Sequence, residues 1–277
     1  MSDIKVGHYN RLPILEFSLH GAYLDGGEKK ILMPKKYVPA NLSVGDVVDV
    51  FIYYDQDDRL VATTEHPLAE AGQFAFLKVA WVNHYGAFLD WGLTKDLFVP
   101  FKEQERKMLK GMSYLVYIYT DDKTGRLVAS SKLDKFLQLE ADNYHKGQQV
   151  SILVWKQTEM GFKVIVDGAC VGLVYKNEIF QPVKIGESLK AVIKNVRPDK
   201  RLDVALQGDG QIHVEDFSER LLTILAEAGG FMPVGDHTSP DEIYRIFSVS
   251  KKTFKRALGM LYRQKKLSIE DSGIRLL

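Results

Sequence analysis

A frame that recurs three times constrains this chain more than any other feature. A turn glycine joining two strands is followed 38, 40 and 40 residues later by an arginine that opens a last strand: Gly21 to Arg59, Gly86 to Arg126 and Gly161 to Arg201. Around the glycine the chain reads HGAYLD, YGAFLD and MGFKVIVD. A short apolar step follows each time, at Leu32-Met33-Pro34, Phe98-Val99-Pro100 and Leu173-Val174-Tyr175. A second glycine (Gly45, Gly111, Gly186) then opens a strand 14, 15 and 15 residues before the arginine. The copies are spaced 65 and then 75 residues apart, so insertions fall between the units and not within them. Independent domains behave this way, whereas a solenoid does not.

Five short strands with even turn signals in about 60 residues fit a small closed Greek-key barrel of the OB type. The alternation agrees. Leu115, Tyr117 and Tyr119 face one way and Tyr114, Val116 and Ile118 the other, as in a strand covered on both sides. Residues 133–146 are expected to hold a short helix as connector, and Gly208-Asp209-Gly210 ends the third unit. The hydrophobic period then changes to that of helices. Phe217, Leu221, Leu222, Ile224 and Leu225 mark a first helix ended by Ala228-Gly229-Gly230. Ser239 caps a second, with Pro240 in its first position, and Ser250 caps a third carrying Phe254, Leu258 and Leu261. A hairpin over residues 267–276 turns at 271–273. Three helices and a hairpin make a winged helix. The expected fold is therefore multidomain and mainly β. Three five-stranded barrels occupy residues 1–68, 69–132 and 147–210, the connector 133–146, and an α/β winged-helix domain 211–277.

Composition narrows the function. A net charge of +1 over 277 residues gives no global attraction to nucleic acid or membrane, so any such binding must come from local patches. The single cysteine, Cys170, excludes an internal disulfide framework and a cysteine-rich zinc site and suits a reducing cytosol. The N-terminus lacks the basic and apolar regions of a signal peptide, and no segment has the run of apolar residues that a membrane span needs. The sequon at Asn41 therefore carries no weight. The seven histidines are dispersed, with no paired spacing for zinc. A phosphate loop and a nucleophile elbow are both missing. The expectation is a protein without catalysis, metal or cofactor.

The stretch 77–100, LKVAWVNHYGAFLDWGLTKDLFVP, is the richest in exposed-ring candidates. It reads as two strands around a turn, with Tyr85 and Phe88 near that turn and able to reach one face. Rings on a rigid sheet face can stack on unpaired bases, worth about 1–3 kcal/mol per base by alanine substitution. Phe88 is equally readable as core, and the recurring arginines as internal braces. Trp81, Trp91 and Trp155 are read as barrel packing. The acidic loops at Asp55, Asp57 and Asp58, and at Asp121 and Asp122, lack the glycine and terminal glutamate of a calcium loop and are read as hairpin turns. In the third helix, taken as residues 251–266, Lys251, Lys252, Lys255, Arg256, Arg263, Lys265 and Lys266 occur with no acidic residue. Its start is where a recognition helix meets phosphates or a groove, although a solvated face would look the same.

YGAFLDWG, the step Leu97-Phe98-Val99 and TGRLVASSK make the central unit resemble the S-one-type RNA-binding repeat, and the other two units share its outline. Three such repeats followed by a winged helix resemble the conserved virulence factor B family over nearly the whole chain. The resemblance implies RNA on the barrel face made by the second and third strands, with Tyr85, Phe88, Phe98 and Arg126 as contacts. In the first unit the matching positions are His20, Tyr23, Met33 and Arg59. In the third they are Met160, Lys163, Tyr175 and Arg201. These departures argue against equal RNA binding by the three. The family resemblance also implies post-transcriptional control of gene expression, including virulence genes. The expected partner is single-stranded RNA, with DNA and the transcription or translation machinery as alternatives, and no membrane. A protein-interaction scaffold and DNA binding through the winged helix are the competing functions.

Overall fold

The structure is a computed structural model that describes residues 4–138, 141, 143–176, 179, 182–206, 214–247 and 249–277, with backbone only at 214–216 and 244. Gly208-Asp209-Gly210 lies outside the described residues. The chain forms two compact units, Met1–Leu137 and Gln138–Leu277.

In the first unit β1 (Tyr9–Ser18), β2 (Gly21–Asp25), β3 (Lys30–Pro34), β4 (Val47–Tyr54) and β5 (Leu60–Thr63) close a barrel in the order β1-β2-β3-β5-β4. A second barrel follows from β6 (Phe74–Val82), β7 (Gly86–Asp90), β8 (Leu97–Pro100), β9 (Ser113–Thr120) and β10 (Leu127–Ser130). The turn glycines exist because the chain approaches itself there. A Cβ on Gly21 would sit 2.0 Å from the Met33 carbonyl oxygen, and one on Gly86 would sit 2.2 Å from that of Val99. The two barrels are joined through a shared core in which Phe51, Tyr53 and Val61 of the first pack with Leu89, Trp91 and Leu97 of the second. Phe51 meets Trp91 edge to face at 5.8 Å. After β10 the described residues of the expected connector hold a 3-10 turn at Leu133–Phe136, and Phe136 stacks on Tyr117 at 4.1 Å. That contact covers part of the outer side of β9 and leaves Tyr117 half-buried.

The second unit opens with a third barrel made of β11 (Gln149–Gln157), β12 (Gly161–Val166), β13 (Cys170–Tyr175), β14 (Ser188–Val196) and β15 (Leu202–Leu206), in the same strand order as the first. Its core holds Val154, Val164, Ile193 and Val204. The winged helix comprises α1 (Val214–Glu227), β16 (Phe231–Met232), α2 (Pro240–Phe247), α3 (Lys251–Arg263), β17 (Leu267–Glu270) and β18 (Gly273–Leu276). Its core is a trio of rings, Phe217, Phe247 and Phe254, with Leu221, Leu225, Ile243 and Leu261. The Ser250 hydroxyl accepts from the Thr253 N–H and starts α3. The helix stops at Arg263, because Lys265 turns to φ 56°. Lys265 and Lys266 thus lie beyond it, one turn short of the extent expected from their charge.

Candidate nucleic-acid interface

The first two strands of every barrel carry a bulge at the same place. It lies between Ile14 and Glu16 in β1, between Val79 and Trp81 in β6, and between Val154 and Lys156 in β11. The extra residue aims the next side chain outward, across from the residue two after the turn glycine. Pairing to the third strand completes an outward row in each barrel: Glu16–Tyr23–Leu32, Trp81–Phe88–Phe98 and Lys156–Lys163–Leu173. The register corrects two correspondences expected from sequence. Leu32 and Leu173, not Met33 and Tyr175, occupy the place of Phe98. Met33 is buried in the first barrel's core. Tyr175 lies opposite Gly161, one residue beyond the buried Val174.

Only the second barrel's row consists of rings. Phe88 stacks on Trp81 with centroids 3.7 Å apart and planes 3° apart, and on its other side meets Phe98 at 4.9 Å. Trp81, which sequence reasoning assigned to packing, is 41% exposed; its companions Trp91 and Trp155 are indeed buried. The bulge that exposes Trp81 has no signature in the residue types around it. Tyr85 stands in the turn, 65% exposed, against His84 at 3.9 Å.

These rings open into a cleft of about 870 Å³ whose other wall is Tyr53, Tyr54 and Gln56 of the first barrel. Lys95, Lys102 and Arg126 line it as well. Two of these cations are already engaged. Arg126 donates to Asp58 at 2.6 Å across the barrel boundary, and Lys95 donates to the Asp55 carbonyl at 2.6 Å. Burial lowers the Lys95 pKa, Asp58 pulls it back in part, and neighbouring Arg126 lowers it again. Arg59, expected beside RNA, is instead held by Asp55 at 2.7 Å and Asp57 at 2.8 Å. Burial alone would raise the Asp55 carboxyl. Hydrogen bonds from the Arg59 side chain and from the Arg59 and Asp57 backbone N–H groups outweigh it and bring the pKa below the ordinary value. The acidic hairpin is therefore a turn and a brace, as its composition suggested. Asp121 plays the same part in its own turn, accepting from the Lys123 and Thr124 N–H groups.

The other barrels differ in kind. Glu16 in the first barrel's row pairs with Lys30 at 2.7 Å, leaving Tyr23 as the row's only ring. In the third, Lys156 and Lys163 lie 4.8 and 3.9 Å from the ring of the buried Trp155. Tyr175 is bound by Arg197 at 2.5 Å and donates to Asp203, so its hydroxyl is committed internally. Arg201 is exposed, with Asp199 3.8 Å away.

On α3 the apolar face of Phe254, Ala257, Leu258 and Leu261 is buried, and Lys252, Lys255 and Arg256 are exposed with Lys251 half-buried. No acidic residue sits in the first turn. Cations there oppose the helix macrodipole, which favours anions at an N-terminus by about 0.3–1 kcal/mol. Lys255 is partly neutralised by Asp236 at 2.7 Å, and its hydrogen bond holds the Asp236 carboxyl below the usual range. Lys251, Lys252 and Arg256 are the remaining cationic edge.

Known proteins resemble parts or most of this chain. Residues 219–276 match the family described as the CvfB-like winged helix domain, and residues 6–65 match the S1 domain. Conserved virulence factor B of Staphylococcus aureus is 27% identical over 85% of this chain and 81% of its own length. Over most of its length the chain is thus similar to conserved virulence factor B. An uncharacterized Bacillus subtilis protein, YitL, is also 27% identical, over 91% of this chain and 87% of its own length. A crystal structure of a Streptococcus pneumoniae multidomain protein with nucleic acid binding domains aligns over 98% of both chains at 24% identity, with a TM-score of 0.44.

The domain content of this chain supports nucleic-acid binding, and the two matched families are nucleic-acid-binding domains. The S1 match falls on the first barrel, although the second was expected to represent the repeat best. The first barrel keeps the glycine and the closing turn without the ring row. Among the described residues no cluster of three or more His, Cys, Asp and Glu could hold a metal ion, and no helix is long and apolar enough to cross a membrane.

Proposed function

We propose that this protein is a non-catalytic, cytosolic RNA-binding regulator of gene expression. It holds single-stranded RNA on the ring face of its second barrel and adds phosphate contacts from α3. The observation that carries this reading is the outward ring row of the second barrel, with Trp81 exposed and Phe88 and Phe98 half-buried, opening with Tyr85 into a cleft that Lys95, Lys102 and Arg126 line. Rings suit bases that are already unpaired, since a duplex hides their faces. Arg126 serves the phosphates once it leaves Asp58. Lys251, Lys252, Lys255 and Arg256 serve backbone rather than groove contacts. Tyr23, Arg59, Lys163, Tyr175 and Arg201 are lesser contacts, because their rows lack adjacent rings or their polar groups are already paired. The name of the Staphylococcus relatives supports a part in virulence.

Salt titration of binding to single-stranded RNA, duplex RNA and duplex DNA tests the reading. Preference for the single strand is expected, with log affinity falling linearly with log salt. No measurable affinity at low salt would remove it. A second reading, docking to a protein, is favoured by Leu15 and Phe17 of β1 and by Leu19 in the turn after it, which are 38%, 45% and 93% exposed. It takes precedence if nucleic acid fails to bind.

A further inference from the structure

Phe88, the ring that family resemblance puts against RNA, is half-buried between two other rings. Trp81 covers one side at 3.7 Å with the planes 3° apart, and Phe98, tilted by 34°, flanks it at 4.9 Å. A base has little room to stack on Phe88 itself. The accessible stacking faces are those at the ends of the three-ring row. Trp81 is an end ring and, at 41%, an exposed one. Strand pairing of β6 with β9 ends at Lys78 opposite Ser113, before Trp81 is reached, so β7 alone is the strand paired with β6 at Trp81. A near-parallel overlap at this distance is not the arrangement aromatic pairs favour unaided. Here the indole is tied: its Nε1–H donates to the Asp96 carboxylate at 2.7 Å. Asp96 belongs to the loop between β7 and β8, so the tie fixes the ring's rotation from outside the row.

We infer that Trp81 is a nucleobase-stacking ring of this site, oriented by Asp96, and that Phe88 is the spacer which holds it upright. The inference rests on the second barrel being the RNA face. Tryptophan offers the largest ring surface of any side chain to a base, and a pre-oriented ring loses little freedom when the base arrives. Asp96 is a positioning residue: its carboxylate is occupied by the indole, and it acts on RNA through that ring.

The test uses the full chain and an oligouridylate of about 10 nucleotides, long enough for one barrel site. Binding is followed by anisotropy of a labelled strand and by tryptophan fluorescence. Trp91 and Trp155 are 2% and 5% exposed, so a saturable quench on binding is expected to come from Trp81. Trp81→Phe keeps a ring and should lose the quench while binding within a few-fold of wild type. Trp81→Ala should weaken binding about 5- to 100-fold without changing the salt slope. Asp96→Asn removes the charge and keeps an acceptor for the indole, whereas Asp96→Ala removes both. Positioning predicts weaker binding by Asp96→Ala than by Asp96→Asn. If wild type binds but Trp81→Ala binds equally well, or the quench survives in Trp81→Phe, the inference falls while the RNA face stands. Equal affinity of the two Asp96 variants removes the positioning role. If wild type does not bind the strand at all, both the inference and the RNA face are overturned.

Discussion

Across β11, β12 and β13 the third barrel sets Lys156, Lys163 and Leu173 where the second sets Trp81, Phe88 and Phe98. Strand order around the first three strands, bulge and turn glycine are the same. The chemistry on top is not: one row is rings, the other two cations ahead of a leucine, with a buried tryptophan beneath the cations. The reason lies in the period of a strand. Successive side chains alternate between core and surface, so the inward set can be held constant for packing while the outward set varies freely. Ala87 and Leu89 flank Phe88 and are fully buried, as Ala22 and Leu24 are around Tyr23. The frame thus says little about ligand, and the outward row carries that information. A row of rings suits base faces, and a pair of cations suits phosphate.

The largest effects should come from breaking what the barrels share. Gly21→Ala, Gly86→Ala and Gly161→Ala put a methyl 2.0, 2.2 and 1.9 Å from a carbonyl oxygen of the paired strand. Each is expected to cost about 3 kcal/mol, seen as a lower unfolding midpoint. A barrel that tolerated its alanine would not share the frame. Next comes the difference between the rows. Tyr85→Ala with Phe88→Ala should weaken single-stranded RNA binding about 10- to 100-fold and leave the salt slope unchanged. Lys156→Ala with Lys163→Ala should weaken it less and reduce the slope by about 0.7 for each phosphate no longer neutralised. Slopes that moved the other way round would reverse the assignment of rings to bases and cations to phosphates.

Neutralising Lys251, Lys252 and Arg256 on α3 should lower the slope in the same increments, and Lys255 should contribute least, because Asp236 already holds it. Smaller still is Asp58→Asn. It releases Arg126 and should raise affinity a few-fold at low salt and not at high salt, read from paired titrations. The least effect concerns pH. Asp55 has a folded pKa below its unfolded value, so its bracing of Arg59 is fully present above the ordinary carboxylate pKa of about 3.9. The contribution disappears as pH falls through the lower folded value. Acid unfolding of Asp55→Asn should show less of this late loss than wild type.

Much of this was legible beforehand. The glycine-to-arginine spacing announced three barrels because strand and turn lengths are local properties. The caps at Ser239 and Ser250 announced helices for the same reason. Tyr85 was readable as exposed because it sits in a turn. Trp81 was not, since the bulge that turns it outward depends on pairing with β7, and its neighbours would suit a buried strand equally well. The Phe98 counterparts were misplaced for a related reason. An apolar step such as Leu32-Met33-Pro34 alternates faces, and only the pairing register decides which member points out.

The sequence by itself determined the number and kind of the domains, the turns that close each barrel and the concentration of rings in the second. These follow from residues within one or two turns of each other. Tertiary structure alone decided which rings form a stack, that Asp96 holds one of them, and that the acidic hairpin of the first barrel reaches Arg126 of the second. Asp58 and Arg126 are 68 residues apart along the chain. They meet because Phe51, Tyr53 and Val61 are buried against the neighbouring barrel, and no local pattern encodes which surface of one barrel another will cover.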